Sequence, residues 1–339
     1  MRTVRLSIMG FGAVGQGVAR AILQKKDYLS AMDIELIVVG ISDRGGVCVE
    51  SGGVDLEAAI ERKQKTGSVA TSDLTSLDMV KDIDHDIMVE ATPTNIEDGE
   101  PGFTYMMEAF RHGRHVVTSN KGPLALKYSM LCDEANKSGV QFRFEATVGG
   151  AMPILNLAQD ALAGNSIMSI EGILNGTCNY ILSRMTEEGL SYKQVLGEAK
   201  ELGIAETDPS YDVEGIDTAC KLVILANSIF GMDVTYDDID VTGITKITPE
   251  SLSLAGAEGM VIKLIGEVRD GNDGMIRVAP KLVPKNHPLA VGGTLNVALL
   301  RTDMAGPICV KGKGAGSIET ASAVLSDIIA ICKNRCQDL

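Results

Sequence analysis

Asp217 and Lys221 stand four residues apart at the head of an apolar run, a spacing that projects both side chains from one face of a helix. From Ile216 on, Ala219, Cys220, Val223 and Ala226 share one side, while Leu222, Ile224 and Leu225 cover most of the rest. A helix apolar nearly all round is a buried one. Burying an ion pair costs several kcal/mol unless partners or function compensate. A desolvated lysine beside a carboxylate is what proton-transfer sites use, whereas the plain alternative is a solvated ion pair on a surface turn. The turn-rich stretch just upstream adds Glu206, Asp208, Asp212 and Glu214, with Pro209 and Gly215 as its breakers. Five carboxylates and one lysine thus converge on the start of one buried helix.

A second constellation lies at the front of the chain. The strand-like run from Val4 to Met9 is followed by Gly10, Phe11, Gly12, Ala13, Val14 and Gly15, then by helix-forming residues Gln16 to Leu23. This is the dinucleotide fingerprint in its required order: one glycine for the tight turn, one for close approach of the pyrophosphate, one for helix–strand packing. With 37 glycines in the chain the pattern alone is weak evidence, and its placement between strand and helix strengthens it. A second apolar run, Ile34 to Ile41, ends at Ser42, Asp43 and Arg44, where an acidic residue meets the adenosine ribose. Asp43 would repel a 2′-phosphate and Arg44 would bind one, so both NAD and NADP stay open.

These two sites sit in a chain of 339 residues, enough for two domains. A hydrophobic content of 45% with 22% charged residues is ordinary globular composition. The net charge of −14 argues against nucleic acid and anionic membrane as partners. No apolar run reaches the length of a membrane span, and the N-terminus has no signal-peptide pattern, so a soluble, cytoplasmic protein is expected. The seven cysteines form no C-x-x-C pair and the four histidines show no metal spacing. Whether Cys332 and Cys336 pair across subunits is open.

The elements that must position the sites follow from periodicity. Strands at Val4 to Met9, Ile34 to Ile41, Ile87 to Glu90 and His115 to Thr118 alternate with helices at Gln16 to Leu23, Leu56 to Lys65 and Phe103 to His112. This predicts an α/β fold with a Rossmann-type, doubly wound parallel sheet. Ligands of such sheets bind beyond the carboxyl ends of the strands, which brings in Thr92 and Lys121; Lys121 also reads simply as a loop lysine. A strand is expected over 140–146, and Thr147 to Pro153 as a glycine turn into a helix from Ile154 to about Ala163. Carbonyls at that turn, beside Glu145, are hard oxygen donors for a monovalent cation, or Gly149 and Gly150 merely serve the turn. Further strands are expected at 166–174, 238–247, 263–269, 275–282 and 308–311, with a helix through Met185 after the closing Asn175, Gly176 and Thr177, and helices at 249–259 and 319–333. The domain reading is 1–135 for dinucleotide binding, completed by about 306–339, and 136–305 for an α+β catalytic domain, to which the resemblance described below adds dimerisation.

Taken together, these motifs resemble homoserine dehydrogenase over essentially the whole chain. The resemblance is carried by Gly10 to Gly15, Val117 to Lys121, Glu145 to Gly150, Leu174 to Tyr180, Ala205 to Pro209 with Asp212, Asp217 and Lys221, His287 to Ala290, and Gly314 to Gly316. It implies NAD(P)-dependent interconversion of L-homoserine and L-aspartate 4-semialdehyde, on the route to threonine, methionine and isoleucine, by a homodimer. It assigns proton transfer to Lys221, with Asp217 and Lys121 in the catalytic set. Glu206, Asp217 and Asp212 become the substrate carboxylates. Gly203 and Gly316 line the cofactor, and Glu145 with the carbonyls of Val148, Gly150 and Met152 holds sodium. Met152 departs from the family, where a smaller or branched residue is commoner. Leu339 falls soon after the last helix, which implies a short form without the threonine-regulatory domain of longer members.

The chemistry agrees on its own terms. Reduction of an aldehyde builds negative charge on oxygen, which an ammonium stabilises and protonates. A zwitterionic amino acid needs carboxylates for its ammonium, which explains both signs in one pocket. An acyl-enzyme aldehyde dehydrogenase would need an activated cysteine, which no sequence context here suggests. A redox sensor without turnover would leave Glu206, Asp217 and Lys221 unexplained.

Overall fold

The computed structural model describes residues 1–269 and 275–334. Its chain divides into two compact units: Met1–Thr147 with the segment from Gly316 on, and Val148–Ala315.

The first unit runs β1 (Arg2–Met9), α1 (Ala13–Gln24), α2 (Lys26–Ser30), β2 (Ile34–Asp43), β3 (Gly46–Val49), α3 (Leu56–Thr66), α4 (Ser76–Asp82), β4 (Ile87–Glu90), α5 (Gly102–Arg111), β5 (His115–Thr118), α6 (Lys121–Lys137) and β6 (Phe142–Arg143). The sheet order is β3-β2-β1-β4-β5-β6, parallel throughout except for the β2–β3 hairpin. This is the doubly wound arrangement expected from the alternating pattern. Its order reverses between β1 and β4, and ligands bind at that switch point, beyond the carboxyl ends. β4 and β5 are buried along their whole length, as parallel strands covered on both faces must be.

The second unit runs α7 (Ile154–Asn156), which continues as a π-helical turn at Leu157–Ala161, then β7 (Ile167–Ile173), α8 (Gly176–Glu188), α9 (Tyr192–Glu201), α10 (Ser210–Val213), α11 (Ile216–Phe230), β8 (Asp240–Val241), α12 (Pro249–Ala257), β9 (Met260–Arg269), β10 (Ile276–Pro284), β11 (Leu295–Thr302) and β12 (Pro307–Lys313). Its sheet, β12-β11-β7-β9-β10-β8, is antiparallel except for β10–β8. α11 is buried from Asp217 to Asn227 and packs on β9 where Gly266 leaves room for Thr218. The chain then returns to the first unit as α13 (Ser317–Asn334), whose Ala321, Val324, Leu325, Ile328 and Ile331 join the core of β1 and α1.

Several expectations shift. Over 140–146 only Phe142–Arg143 pairs as strand, and Glu145–Thr147 is a 3-10 turn. The ladder stops because the Glu145 N–H donates to Asp327 Oδ2 at 3.0 Å and the Thr147 hydroxyl turns back to the Phe144 carbonyl. Over 238–247 the strand shrinks to Asp240–Val241, since Gly243 lies against the backbone at Val213 and Glu214 and Ile244 N–H donates to the Val213 carbonyl. The stretch expected to complete the first domain from about 306 begins with β12, which pairs with β11 in the second sheet, so the return starts at Gly316. Strands β3 and β11 and helices α2, α4, α6, α9 and α10 are not among the expected elements. Cys332 is buried; Cys336 lies outside the described residues.

Candidate active site

In the first unit, the fingerprint joins β1 to α1 as its glycines require. Gly10 has φ +93°, and a Cβ there would run into the Ala91 carbonyl after β4. A Cβ on Gly15 would strike the Gly10 carbonyl. Gly12 is different: among the described residues nothing lies within 4 Å of where its Cβ would be, and it caps α1 with no side chain engaging the helix N–H groups. Free helix N–H groups facing open space form a cradle for an anion, so the residues fit a dinucleotide pyrophosphate. Phe11 is buried in the core and anchors the turn, Ala13 is exposed, and Val14 packs partly against the core. Gly316, at φ +131°, precedes Ser317, whose hydroxyl donates to the Ala13 carbonyl and so ties this glycine to the head of α1.

Asp43 and Arg44 at the end of β2 differ sharply. The Asp43 carboxylate accepts from Lys63 Nζ at 2.7 Å, Gly45 N–H at 2.8 Å, Val69 N–H at 2.9 Å and the Ser68 hydroxyl at 3.2 Å. Burial opposes its charge, but Lys63 and the backbone donors hold its pKa below the usual carboxylate range. Arg44 is exposed and makes no hydrogen bond or ion pair among the described residues. Thr92 follows β4 and donates to Glu90, while Lys121 opens α6 behind its cap Asn120. The sequence reading missed α6 because Gly122 and Pro123 look like breakers; in a first turn both are tolerated.

In the second unit, Lys221 and Asp217 lie on the first turns of α11, both nearly fully buried. Lys221 Nζ donates to Asp217 Oδ2 at 2.7 Å and to the Leu174 carbonyl at 2.5 Å. Asn175, the cap of α8, donates from Nδ2 to Asp217 Oδ2 at 2.9 Å and to Asp212 Oδ1 at 2.7 Å. Its Oδ1 accepts the Cys178 N–H at 2.8 Å. One asparagine therefore links α8, α10 and α11, and holds two carboxylates beside one lysine. Burial is the main cause that raises the Asp212 pKa, with Asp217 adding to it and Asn175 opposing. Cys178 donates its thiol to the Asp212 carbonyl, and burial pushes its pKa up, so it is an inert thiol.

Glu206 is exposed on the loop after α9 and has no hydrogen-bond partner among the described residues. Two residues before it, the Ile204 carbonyl accepts from the Thr177 hydroxyl of α8 at 3.1 Å. Gly203, in the same loop, has φ +69° and open space at its Cβ position. The structure thus gathers Lys221, Asp217 and Asp212 around Asn175 and leaves Glu206 free at the loop. Asn175 falls in the Leu174 to Tyr180 motif of the resemblance but is given no site role there; the signal for its role is an Asn-Gly before a helix, an N-cap pattern. Glu145 is buried in the first unit, whereas Val148, Gly150 and Met152 belong to the second. Gly150 has φ +58° against the Gly314 backbone, and the Met152 carbonyl accepts Ile154 N–H at 2.9 Å.

A doubly wound sheet with an uncapped glycine turn, and a separate unit holding a buried lysine–carboxylate cluster, define an NAD(P)-dependent oxidoreductase. Residues 10–145 match the family model described as homoserine dehydrogenase, NAD binding domain, and residues 153–329 match the one described as homoserine dehydrogenase. The chain is 55% identical over 329 residues to the homoserine dehydrogenase of Methanocaldococcus jannaschii, covering 96% of this chain and 97% of that one. Among solved structures it is similar to a protein from Archaeoglobus fulgidus provisionally described as a homoserine dehydrogenase, with TM-score 0.91 and 47% identity over 97% and 99% of the two chains. It is also similar to a hyperthermophilic archaeal homoserine dehydrogenase in complex with NADPH, with TM-score 0.86 and 31% identity over 98% of each chain. The chain belongs to the homoserine dehydrogenase family.

Proposed function

We propose that Lys221 is the group that moves the proton as L-homoserine and L-aspartate 4-semialdehyde are interconverted, in the route to threonine, methionine and isoleucine. The bound nicotinamide supplies or takes up the hydride. Lys221 acts on the oxygen: in reduction its ammonium stabilises the growing negative charge and donates to it, and in oxidation the neutral amine accepts the hydroxyl proton. The observation that carries this is the buried Lys221 ammonium, oriented by Asp217 and the Leu174 carbonyl. Glu206, Asp217 and Asp212 bind the substrate ammonium, and Asp217 also keeps Lys221 oriented. The exposed Glu206 carboxylate, with no hydrogen-bond partner among the described residues, supports its part.

Thr92, Lys121 and Gly203 belong with the fingerprint and Gly316 in the cofactor set, and Lys121 also belongs to the catalytic set. The first unit takes the dinucleotide and the second carries the chemistry and the homodimer contact. NADP is the preferred cofactor, because Asp43 is neutralised by Lys63 while Arg44 is unengaged. A monovalent cation, sodium, is assigned to Glu145 and the carbonyls of Val148, Gly150 and Met152 on ligand chemistry alone, hard oxygens for a hard ion. Among the described residues no helix is long and apolar enough to cross a membrane, in keeping with a cytoplasmic enzyme.

Lys221→Ala tests the central assignment. Turnover with homoserine falls at least ~100-fold, the scale of a lost general acid, while the dissociation constant for NADPH stays within about threefold. Near-normal turnover in that variant would remove Lys221 from the chemistry.

A further inference from the structure

Glu90, the last residue of β4, is completely buried, and each hydrogen-bond partner of its side chain among the described residues is a donor. Its Oε1 accepts from the Thr92 N–H at 2.8 Å, from the Thr92 hydroxyl, and from Asn120 Nδ2 at 3.5 Å. Its Oε2 accepts from the Thr118 hydroxyl at 2.8 Å. The direction of these bonds is set by Asn120. Its N–H donates to Thr118 Oγ1 at 3.0 Å and its Nδ2 to Thr92 Oγ1 at 3.2 Å, so both hydroxyl hydrogens point to Glu90. The Glu90 main-chain carbonyl adds the Ser119 N–H at 3.1 Å.

The network reaches two segments of different origin. Thr92 lies on the loop after β4, at the switch point of the sheet; Asn120 caps α6, accepting the Gly122 N–H at 3.1 Å, and Lys121 is the first residue of that helix. The two segments also touch directly, since a Cβ on Gly122 would run into the Asn95 carbonyl. The first residue of α5, Gly102, leaves room for this cluster; a Cβ there would come within 2.8 Å of Asn120 Nδ2 and 3.2 Å of Glu90 Oε1. A buried carboxylate held by neutral donors alone is costly, and stability gives no reason for it when an apolar residue would close the strand end.

We propose that Glu90 is a positioning residue for the reaction: its carboxylate locks the loop bearing Thr92 to the cap of α6, and thereby fixes the ammonium of Lys121, the first residue of that helix. The inference rests on the role given to Lys121 above. Glu90 meets neither cofactor nor substrate, and acts only by fixing the two loops. A misplacement of about 1 Å at a reacting group is enough to cost ~100-fold in rate.

The test is a double-mutant cycle of Glu90→Gln with Lys121→Met, read in turnover and, separately, in the dissociation constant for NADPH followed by nicotinamide fluorescence. Glu90→Gln turns one hydrogen-bond acceptor into a donor aimed at Thr hydroxyls that already donate. It lowers kcat by ~10- to 100-fold with KM for homoserine changed less than about threefold, and it weakens NADPH binding by ~3- to 10-fold. In the Lys121→Met background the same change costs less than about threefold in kcat, because the group being positioned is gone. Full additivity, or an unchanged NADPH constant, overturns the proposal. If Lys121→Met alone leaves kcat intact, the role of Lys121 has failed instead. Should Glu90→Gln not fold, Thr118→Val, which deletes the donor to Oε2 and lies outside the cofactor and substrate sets, takes its place in the cycle with the same two outcomes.

Discussion

Asp43 and Arg44 are neighbours in sequence with opposite charges, yet only one of them is available to a ligand. Four hydrogen bonds, one of them from Lys63, consume the Asp43 carboxylate, and its task within the unit is to tie the end of β2 to the segment at Gly45, Ser68 and Val69. Its repulsion of a 2′-phosphate is largely cancelled by the ammonium 2.7 Å away. Arg44→Ala therefore weakens NADP binding by ~10-fold or more, the loss of a charge-assisted bond worth ~1.5 to 3 kcal/mol, and leaves NAD binding within about twofold. Calorimetric titration with each dinucleotide checks this, and an equal loss for both would make Arg44 structural. The residue types at this corner were legible in the chain, but their availability was not. Availability depended on Lys63, twenty positions away on a helix whose docking no local pattern encodes. The same holds at Asn175, whose cap role is local while its bridge to Asp212 and Asp217 exists only once three helices meet.

At the scale of elements, the strand, turn and helix of the fingerprint separate what glycine does for the fold from what it does for the ligand. Gly10 sits at positive φ against the Ala91 carbonyl, and Gly15 against the Gly10 carbonyl, so Ala at either forces backbone apart. Gly12 has open space and φ −81°. Gly12→Ala should thus melt within about 2 °C of the parent but bind NADPH ~10-fold or more weakly, since the added methyl stands where the pyrophosphate comes closest. Gly10→Ala, by contrast, costs roughly 1 to 3 kcal/mol of stability through backbone strain, plus the clash. Thermal melts alongside NADPH titrations distinguish them; a large loss of melting temperature in Gly12→Ala would show that its place in the turn is structural. Elements with a strong period were legible: β1, β2, β4, β5 and α11 stand where alternation and apolar runs put them. Those that failed were decided by distant partners. The strand expected over 140–146 is cut short by Asp327, and the one over 238–247 by the backbone at Val213 and Glu214.

For the whole molecule, the first unit is discontinuous: its core is unfinished until α13 arrives from the far end of the chain. The contact is intimate. Gly17 of α1 lies against the Ser317 backbone, where a Cβ would clash; Arg2 donates from NH1 to the Cys332 carbonyl at 2.7 Å; and buried Asp327 holds the Glu145 N–H. Ile328, fully buried in the same cluster as Val4, Leu6, Ile8 and Val18, is the central apolar contribution of that helix. Truncating it removes buried methylenes and leaves a cavity, at a cost of ~2 to 5 kcal/mol. Ile328→Ala should accordingly speed amide exchange in β1 and β4, more than three hundred and more than two hundred residues away in sequence, by ~30-fold or more where exchange follows unfolding of the unit, since every 1.4 kcal/mol is tenfold. Saturating NADPH binds only the folded unit, so it offsets the loss: at a hundred times its dissociation constant it returns ~2.7 kcal/mol and should restore most of the protection. Unchanged exchange in β1 and β4, with or without NADPH, would mean that α13 decorates this unit rather than completing it.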